Sequence, residues 1–170
     1  GVGLIPVVIL LAMQVRRMAH RTPILSYSLI AAAGGPPALF LIANMFWLLG
    51  SFRPDRAPEL TQVLNDLAWL TFTLLVPYLI AQCLLVALAI YWDQQERPVF
   101  KPWVAYFNLV IAAALVPATF TALSFDGPFA WDGALSFWLK NIAIAVWILV
   151  MGVVLAQAIK QQRAQDQVPA

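Results

Sequence analysis

Residues 133–159 read GALSFWLKNIAIAVWILVMGVVLAQAI, and this stretch decides the fold because it is long, apolar and interrupted by a single charge. A helix that crosses a bilayer needs about 20 consecutive apolar residues, and this run is longer than that. The one charge belongs to Lys140, which lies inside the run rather than at its edge. A lysine at membrane depth is costly, so its position marks it as a candidate functional residue.

Similar apolar runs fill most of the chain. They cover residues 1–15, 24–52, 64–92 and 103–125, and short islands between them hold most of the charges. The 170 residues are 62% hydrophobic and 11% charged, whereas soluble domains carry about 25% charged residues. We therefore predict an all-α integral membrane protein in which residues 1–170 form one polytopic domain, a bundle of five transmembrane helices.

The first run is shorter than a membrane span. Fifteen helical residues extend about 22 Å, whereas the hydrocarbon core of a bilayer is about 30 Å thick. A signal peptide does not explain this run, because no basic segment precedes it and no small-residue cleavage site follows it. We expect it to be the end of a first membrane helix that is truncated at its N-terminus.

The distribution of basic residues predicts an orientation. If five spans alternate across the membrane, seven basic residues fall on one side and two on the other, and the richer side is the cytoplasmic one. The N-terminus is then outside, and the C-terminus lies in the cytoplasm beneath a cell (inner) membrane. The richer side holds Arg16, Arg17 and Arg21, which we expect to contact lipid head groups, together with Arg97, Lys101, Lys160 and Arg163.

Prolines occur in four of the five spans and predict kinks, one of them at Pro77 in the third span. The strongest interruption is the sequence Gly34, Gly35, Pro36, Pro37, across which a continuous helix is not expected. Two interpretations are open. The break can expose backbone groups that bind an ion or anion at membrane depth, or it can reorient the chain between an inclined segment and a steeper helix.

Lys140 has three interpretations. Its side chain leans toward the N-terminus of its helix, so it can snorkel to the outer head groups. It can instead form an ion pair with Asp66, which lies at a similar depth near the outer end of the third span. It can also bind a ligand or transfer a proton.

The chain has one histidine and one cysteine. Haem held by two histidines, an iron–sulfur cluster, a thiolate zinc site and an internal disulfide therefore cannot form within this chain alone. Phosphate-binding loops and the common catalytic signatures are absent from it as well. We expect no cofactor within the chain, and we leave open a lipid or a pigment shared at a subunit interface.

These observations favour a non-catalytic integral subunit that packs with or stabilises a larger membrane complex, in contact with lipid and with other membrane subunits. A net charge of +2, spread along the chain, does not favour nucleic acid. The alternative is a small oligomeric transporter or carrier of a lipophilic or anionic molecule. The third hypothesis is an intramembrane enzyme for a lipid-like substrate with Asp66, Asp126 or Asp132 as acid or base, and no spacing specific to a reaction supports it.

Overall fold

The computed structural model describes residues 3–18, 23–73 and 75–166, which are mostly helical and contain no strand. The six α-helices are α1 (Leu4–Arg16), α2 (Ile24–Ser51), α3 (Pro58–Thr73), α4 (Val76–Tyr91), α5 (Trp103–Leu115) and α6 (Leu139–Asp166). Between α5 and α6 lie two 3-10 helices, Val116–Leu123 and Gly127–Phe129, and a π-helix, Ala134–Trp138. The predicted all-α class is confirmed.

Four helical segments among the described residues are long and apolar enough to cross a membrane. They are Ile24–Ser51, Pro58–Tyr91, Trp103–Leu123 and Gly127–Gln165. The outward faces are apolar, as lipid contact requires: Leu41 is 63% exposed and Leu149 71% exposed. The 13 residues of α1 extend only about 20 Å, so this helix does not reach the length of a span.

The first helix packs inside the bundle despite its length. Val8, Leu11, Ala12 and Val15 recur at helical spacing, and all four side chains are buried. They face α2, α4 and α6, with which α1 makes its contacts. Although α1 is short, one face of it is therefore buried in the core.

Hydrogen bonds tie the C-terminal ends of α1 and α6 together. The buried amide of Gln14 donates to Oε1 of Gln162 over 3.1 Å, and the guanidinium of Arg17 donates to Gln14 and to Gln165. From the α4–α5 loop, Gln95 donates to the carbonyl of Arg17. We call this end of the bundle the arginine end, and the opposite end, where Trp47, Trp69 and Trp131 meet, the tryptophan end.

A buried polar pair joins α5 to α6. Asn108 is fully buried, and its Oδ1 accepts a hydrogen bond of 2.9 Å from Nε1 of Trp147. Its amide nitrogen donates to the carbonyl of Val104 one turn earlier and contacts the sulfur of Met151. Trp147, which lies in the middle of the last apolar run, therefore has a partner for its N–H away from any interface.

The predicted break at residues 34–37 differs from the structure, because α2 continues through it as one helix. Pro36 has no N–H to give to the carbonyl of Ala32. The side chain of Gln82 in α4 replaces that donor, since its Nε2 lies 3.1 Å from the Ala32 oxygen. A hydrogen bond from a neighbouring helix thus satisfies the backbone group that the proline frees.

Other spans change their helix type where the sequence predicts only kinks. In the third span, the described residues form α3, up to Thr73, and α4, from Val76, with Pro77 in the first turn of α4. The fourth span passes from α-helix into a 3-10 helix at Val116, directly before Pro117. The last span begins as a π-helix and becomes α-helical at Leu139.

These changes lie at one depth of the bundle. Gly35 in α2 lies against the ring of Tyr78 in the first turn of α4. The 3-10 helix Val116–Leu123 contacts both α3 and α4, and Lys140 in the first turn of α6 meets Phe72 in the last turn of α3. We call this level the joint. It comprises residues 35–37, the last turn of α3, the first turn of α4, the start of the 3-10 helix and the first turn of α6.

Candidate functional site at Lys140

Lys140 is enclosed by the protein at the joint. Only 1% of its surface is exposed, which is less than for any other charged side chain among the described residues. Its Nζ lies 4.4 Å from the ring centroid of Phe72 and 5.6 Å from that of Phe137. Both distances allow cation–π attraction. This position between aromatic rings does not favour the snorkelling interpretation of Lys140.

The π-helix before α6 sets the position of this lysine. The N–H groups of Phe137 and Trp138 both donate to the carbonyl of Gly133, the second of them across five residues. This wider turn puts the ring of Phe137 near Nζ of Lys140. π-Helical turns are frequent at functional sites, so the π-helix is a second, independent indication of a functional site beside Lys140.

A compact loop holds the start of the π-helix. Gly133 is buried, and a Cβ atom built on it would overlap the carbonyl of Pro128 and lie 2.8 Å from the carbonyl oxygen of Gly127. The hydroxyl of Ser136 donates to the carbonyl of Ala130, which closes the loop against the first turn. Backbone from the loop therefore lies directly on Gly133, and no side chain fits between them.

Aromatic side chains from three parts of the chain form one cluster at the tryptophan end. Trp69 is its centre: its ring centroid lies 4.5 Å from that of Trp131 and 5.1 Å from that of Trp47. Pairs of this geometry stabilise a contact beyond the area they bury. The other members of the aromatic cluster are Phe40, Phe72, Phe137 and Trp138.

Lys140 has no acidic partner within the described part of the chain. No ion pair or hydrogen bond of its Nζ is found among those residues, and Asp66, Asp126 and Asp132 are all exposed. Two cation–π contacts contribute roughly 0.5 to 2 kcal/mol each, whereas an ammonium group removed from water costs several kcal/mol. The aromatic rings therefore compensate only part of the cost of burying this charge.

Helix geometry explains why Asp66 and Lys140 do not meet. Asp66 precedes Phe72 by six residues, which is a rotation of about 240° around the axis of α3. Since Phe72 faces Lys140, the carboxylate of Asp66 points to another side of the helix, where it is exposed. Two residues at the same depth in the membrane can lie on helix faces that do not meet.

We expect Lys140→Met and Asp66→Asn to act independently. In a double-mutant cycle, their changes in the free energy of unfolding should add to within about 0.5 kcal/mol, because the side chains share no contact. Reversible unfolding in mixed detergent measures all four proteins of the cycle. A coupling above about 1 kcal/mol would contradict the separation of the two residues.

The remaining predicted residues lie elsewhere. Gly35 lies against Tyr78 of α4 at the joint, with Pro36 and Pro37 next to it in α2, and Gly34 is exposed. At the arginine end, Arg16 is exposed and stacks over the ring of Tyr27, while Arg17 is hydrogen-bonded to glutamines. Arg21 lies outside the described residues. Contact of these arginines with lipid head groups stays a prediction.

Phe72 and Phe137 are the site residues that sequence reasoning missed. Phe137 precedes Lys140 by three residues, a spacing that puts two side chains on one face of a helix, so its contact could have been predicted. Phe72 gives no such local signal, because it comes from a different helix and lies among several other aromatic residues.

Within the described ranges, no group of three or more His, Cys, Asp or Glu side chains could hold a metal ion. No protein-family model, no curated protein and no solved structure matches the chain. What the fold defines is a class: an all-α protein with helical segments that can cross a bilayer. The contacts between its own residues are therefore the basis for its proposed function.

Proposed function

We propose that the chain is a non-catalytic integral subunit that packs with or stabilises a larger membrane complex. The observation that carries this proposal is the use of buried polar side chains to join helices. Asn108 binds Trp147, and Gln82 binds the carbonyl of Ala32. Amides of this kind typically serve helix packing in membranes. Asp66, Asp126 and Asp132 are exposed, which gives an enzyme no enclosed carboxylate among them.

The proposal includes five spans in a cell (inner) membrane, with the N-terminus outside and the C-terminus in the cytoplasm. The hydrogen bond between Gln14 and Gln162 supports it, because it brings the C-terminal ends of α1 and α6 to the same end of the bundle. Arg16, Arg17 and Arg163 belong to that end. Their concentration there is the pattern of a cytoplasmic side.

The face proposed to meet other subunits is the part of α2 nearest the tryptophan end. Met45, Leu48, Leu49 and Phe52 are exposed there, and with Phe46 they line a concave surface of about 450 Å³. Flexible methionine and leucine side chains adapt readily to a helix packed against them. A second membrane subunit that presents an apolar helix fits such a surface.

The test is purification in a mild detergent, followed by mass spectrometry of the intact assembly. We expect a companion membrane protein in fixed stoichiometry, and we expect Met45→Trp and Leu49→Trp to remove it by filling the concave surface. Leu149→Trp is the matched control, since Leu149 is an exposed apolar residue on α6. A monodisperse isolated chain would refute this proposal. A companion that remains bound in Met45→Trp and Leu49→Trp, as it does in Leu149→Trp, would refute this face.

A carrier of a lipophilic or anionic molecule is the second candidate function. It is favoured by Lys140, an enclosed cation that lacks a carboxylate partner among the described residues. Proteoliposomes with the purified protein test it, because carrier-dependent flux of an organic anion should fall sharply in Lys140→Met. Lys160→Met is the control, since Lys160 is exposed near the arginine end. Flux that is unchanged in Lys140→Met would remove the lysine from any transport mechanism.

A further inference from the structure

We propose that Lys140 binds the carboxylate of a lipophilic acid, such as a long-chain fatty acid, which reaches it when the bundle opens at the joint. The inference rests on the second candidate function, for which it names the substrate class and the binding residue. It does not depend on assembly with other subunits. Three features carry it: the charge of Lys140, the aromatic rings around it and the helix interruptions at its depth.

The charge determines the ligand's polar group. Nζ of Lys140 is a donor of three hydrogen bonds, and no acceptor for it is found in the part of the chain that the structure describes. The faces of Phe72 and Phe137 stabilise a cation without accepting a conventional hydrogen bond. A carboxylate supplies both the missing acceptor and the missing negative charge. At membrane depth, a singly charged anion of this kind is better matched to one lysine than a doubly charged phosphate.

The surroundings determine the rest of the ligand. Trp69 lies 5.9 Å from Phe137 and 6.0 Å from Phe72, measured between ring centroids, so apolar rings extend from the lysine toward the tryptophan end. A small hydrophilic anion would lose its hydration here without compensation. An acid with a hydrocarbon body would instead pack against the rings while its carboxylate meets Nζ.

The joint determines how a ligand enters. Lys140 is closed off in this structure, so access requires movement of helices. At the joint, Pro36 and Pro37 remove two helix hydrogen bonds from α2, and the fourth span passes from α-helix into 3-10 helix at Val116. The bundle therefore has fewer or altered backbone hydrogen bonds at this level, although α2 itself remains continuous. Such interruptions serve as hinges in helical proteins.

The binding test uses oleate and its uncharged analogue oleyl alcohol, titrated into the purified protein in detergent and followed by tryptophan fluorescence. Wild-type protein should bind oleate at least 10-fold more tightly than oleyl alcohol. Lys140→Met should abolish that preference, Lys140→Arg should retain most of it, and Lys160→Met should leave it unchanged. Equal affinity for the two probes, or a preference that survives in Lys140→Met, would overturn the proposal.

Circular dichroism and size-exclusion chromatography establish that Lys140→Met is folded. If it is not, Phe137→Leu provides the second variant: it keeps the charge, removes one aromatic face, and should weaken oleate and oleyl alcohol alike. An oleate affinity unchanged in this variant would count against the site. If oleate binding depends on Lys140 but proteoliposomes show no flux, the carrier function is refuted and the binding site at Lys140 is supported. The two proposals can therefore fail separately.

The hinge is tested by Pro36→Ala. An alanine at position 36 has a backbone N–H that can donate to the carbonyl of Ala32. This additional helix hydrogen bond should stiffen α2 at the joint. We expect the association rate of oleate in stopped-flow measurements to fall several-fold. Pro102→Ala is the control, because Pro102 lies at the start of α5, next to the α4–α5 loop at the arginine end. An association rate that is unchanged in Pro36→Ala would refute entry through movement at the joint.

Discussion

Gly35→Ala is expected to lower the free energy of unfolding by about 2 kcal/mol, within the usual range for overpacked sites. A Cβ atom on Gly35 would lie 2.6 Å from two ring carbons of Tyr78, closer than non-bonded atoms approach. Either the ring has to move or α2 and α4 have to separate. Separation would also pull Gln82 away from the carbonyl of Ala32. Unfolding in mixed detergent, followed by circular dichroism, measures the loss.

Two variants make this prediction specific. Gly34→Ala adds the same atom one residue earlier, where nothing lies within 4 Å, and alanine is the better helix former by about 1 kcal/mol, so it should be neutral or stabilising. Tyr78→Ala combined with Gly35→Ala should recover most of the loss that Gly35→Ala causes in the wild-type background, because the obstructing ring is gone. Equal effects of the two glycine substitutions would show that the close approach of α2 and α4 is not important for stability.

Gly133→Ala is expected to have the larger effect, about 3 kcal/mol, because the obstruction is backbone. A Cβ atom there would overlap the carbonyl of Pro128, and no side-chain rotation can relieve this. The loop has to shift and carry Trp131 away from Trp69. Tryptophan fluorescence should therefore move to longer wavelength in the folded state, while the thermal midpoint falls.

The control for this position is Gly152→Ala. Gly152 lies in α6, and a Cβ atom on it would meet nothing within 4 Å. Its stability and its fluorescence should match those of the wild type or show a slight gain in stability. If Gly133→Ala behaved in the same way, the compact loop would not be what positions the π-helix and Lys140.

The apolar runs predict where helices occur, because a bilayer requires every backbone group in a span to be hydrogen-bonded within the protein. They do not predict helix type. The π-helix Ala134–Trp138 depends on contacts outside its own turn, since Ser136 donates to the carbonyl of Ala130 in the loop before it. The continuity of α2 through its prolines has the same origin, since it depends on a glutamine 50 residues later in the chain.

The sequence identifies Lys140 as a candidate site residue by its charge in an apolar run. It does not predict which side chains surround Lys140. Whether a lysine snorkels or stays enclosed depends on which side chains lie around it, and Phe72 comes from another helix. Asp66 matches Lys140 in depth, but its side chain lies on a different face of α3 from Phe72 and is exposed. Depth in the membrane can be estimated from one helix alone, whereas a shared face requires the relative rotation of two helices.

The hydrogen bond from Gln82 to Ala32 also bears on how the protein is made. A ribosome completes α2 before it begins α4, so the carbonyl of Ala32 lacks its donor while the first part of the chain enters the membrane. A carbonyl group without a donor is unfavourable in lipid. In a bilayer, α2 is therefore expected to be less stable before α4 is present and to gain its missing hydrogen bond when the two helices pack together.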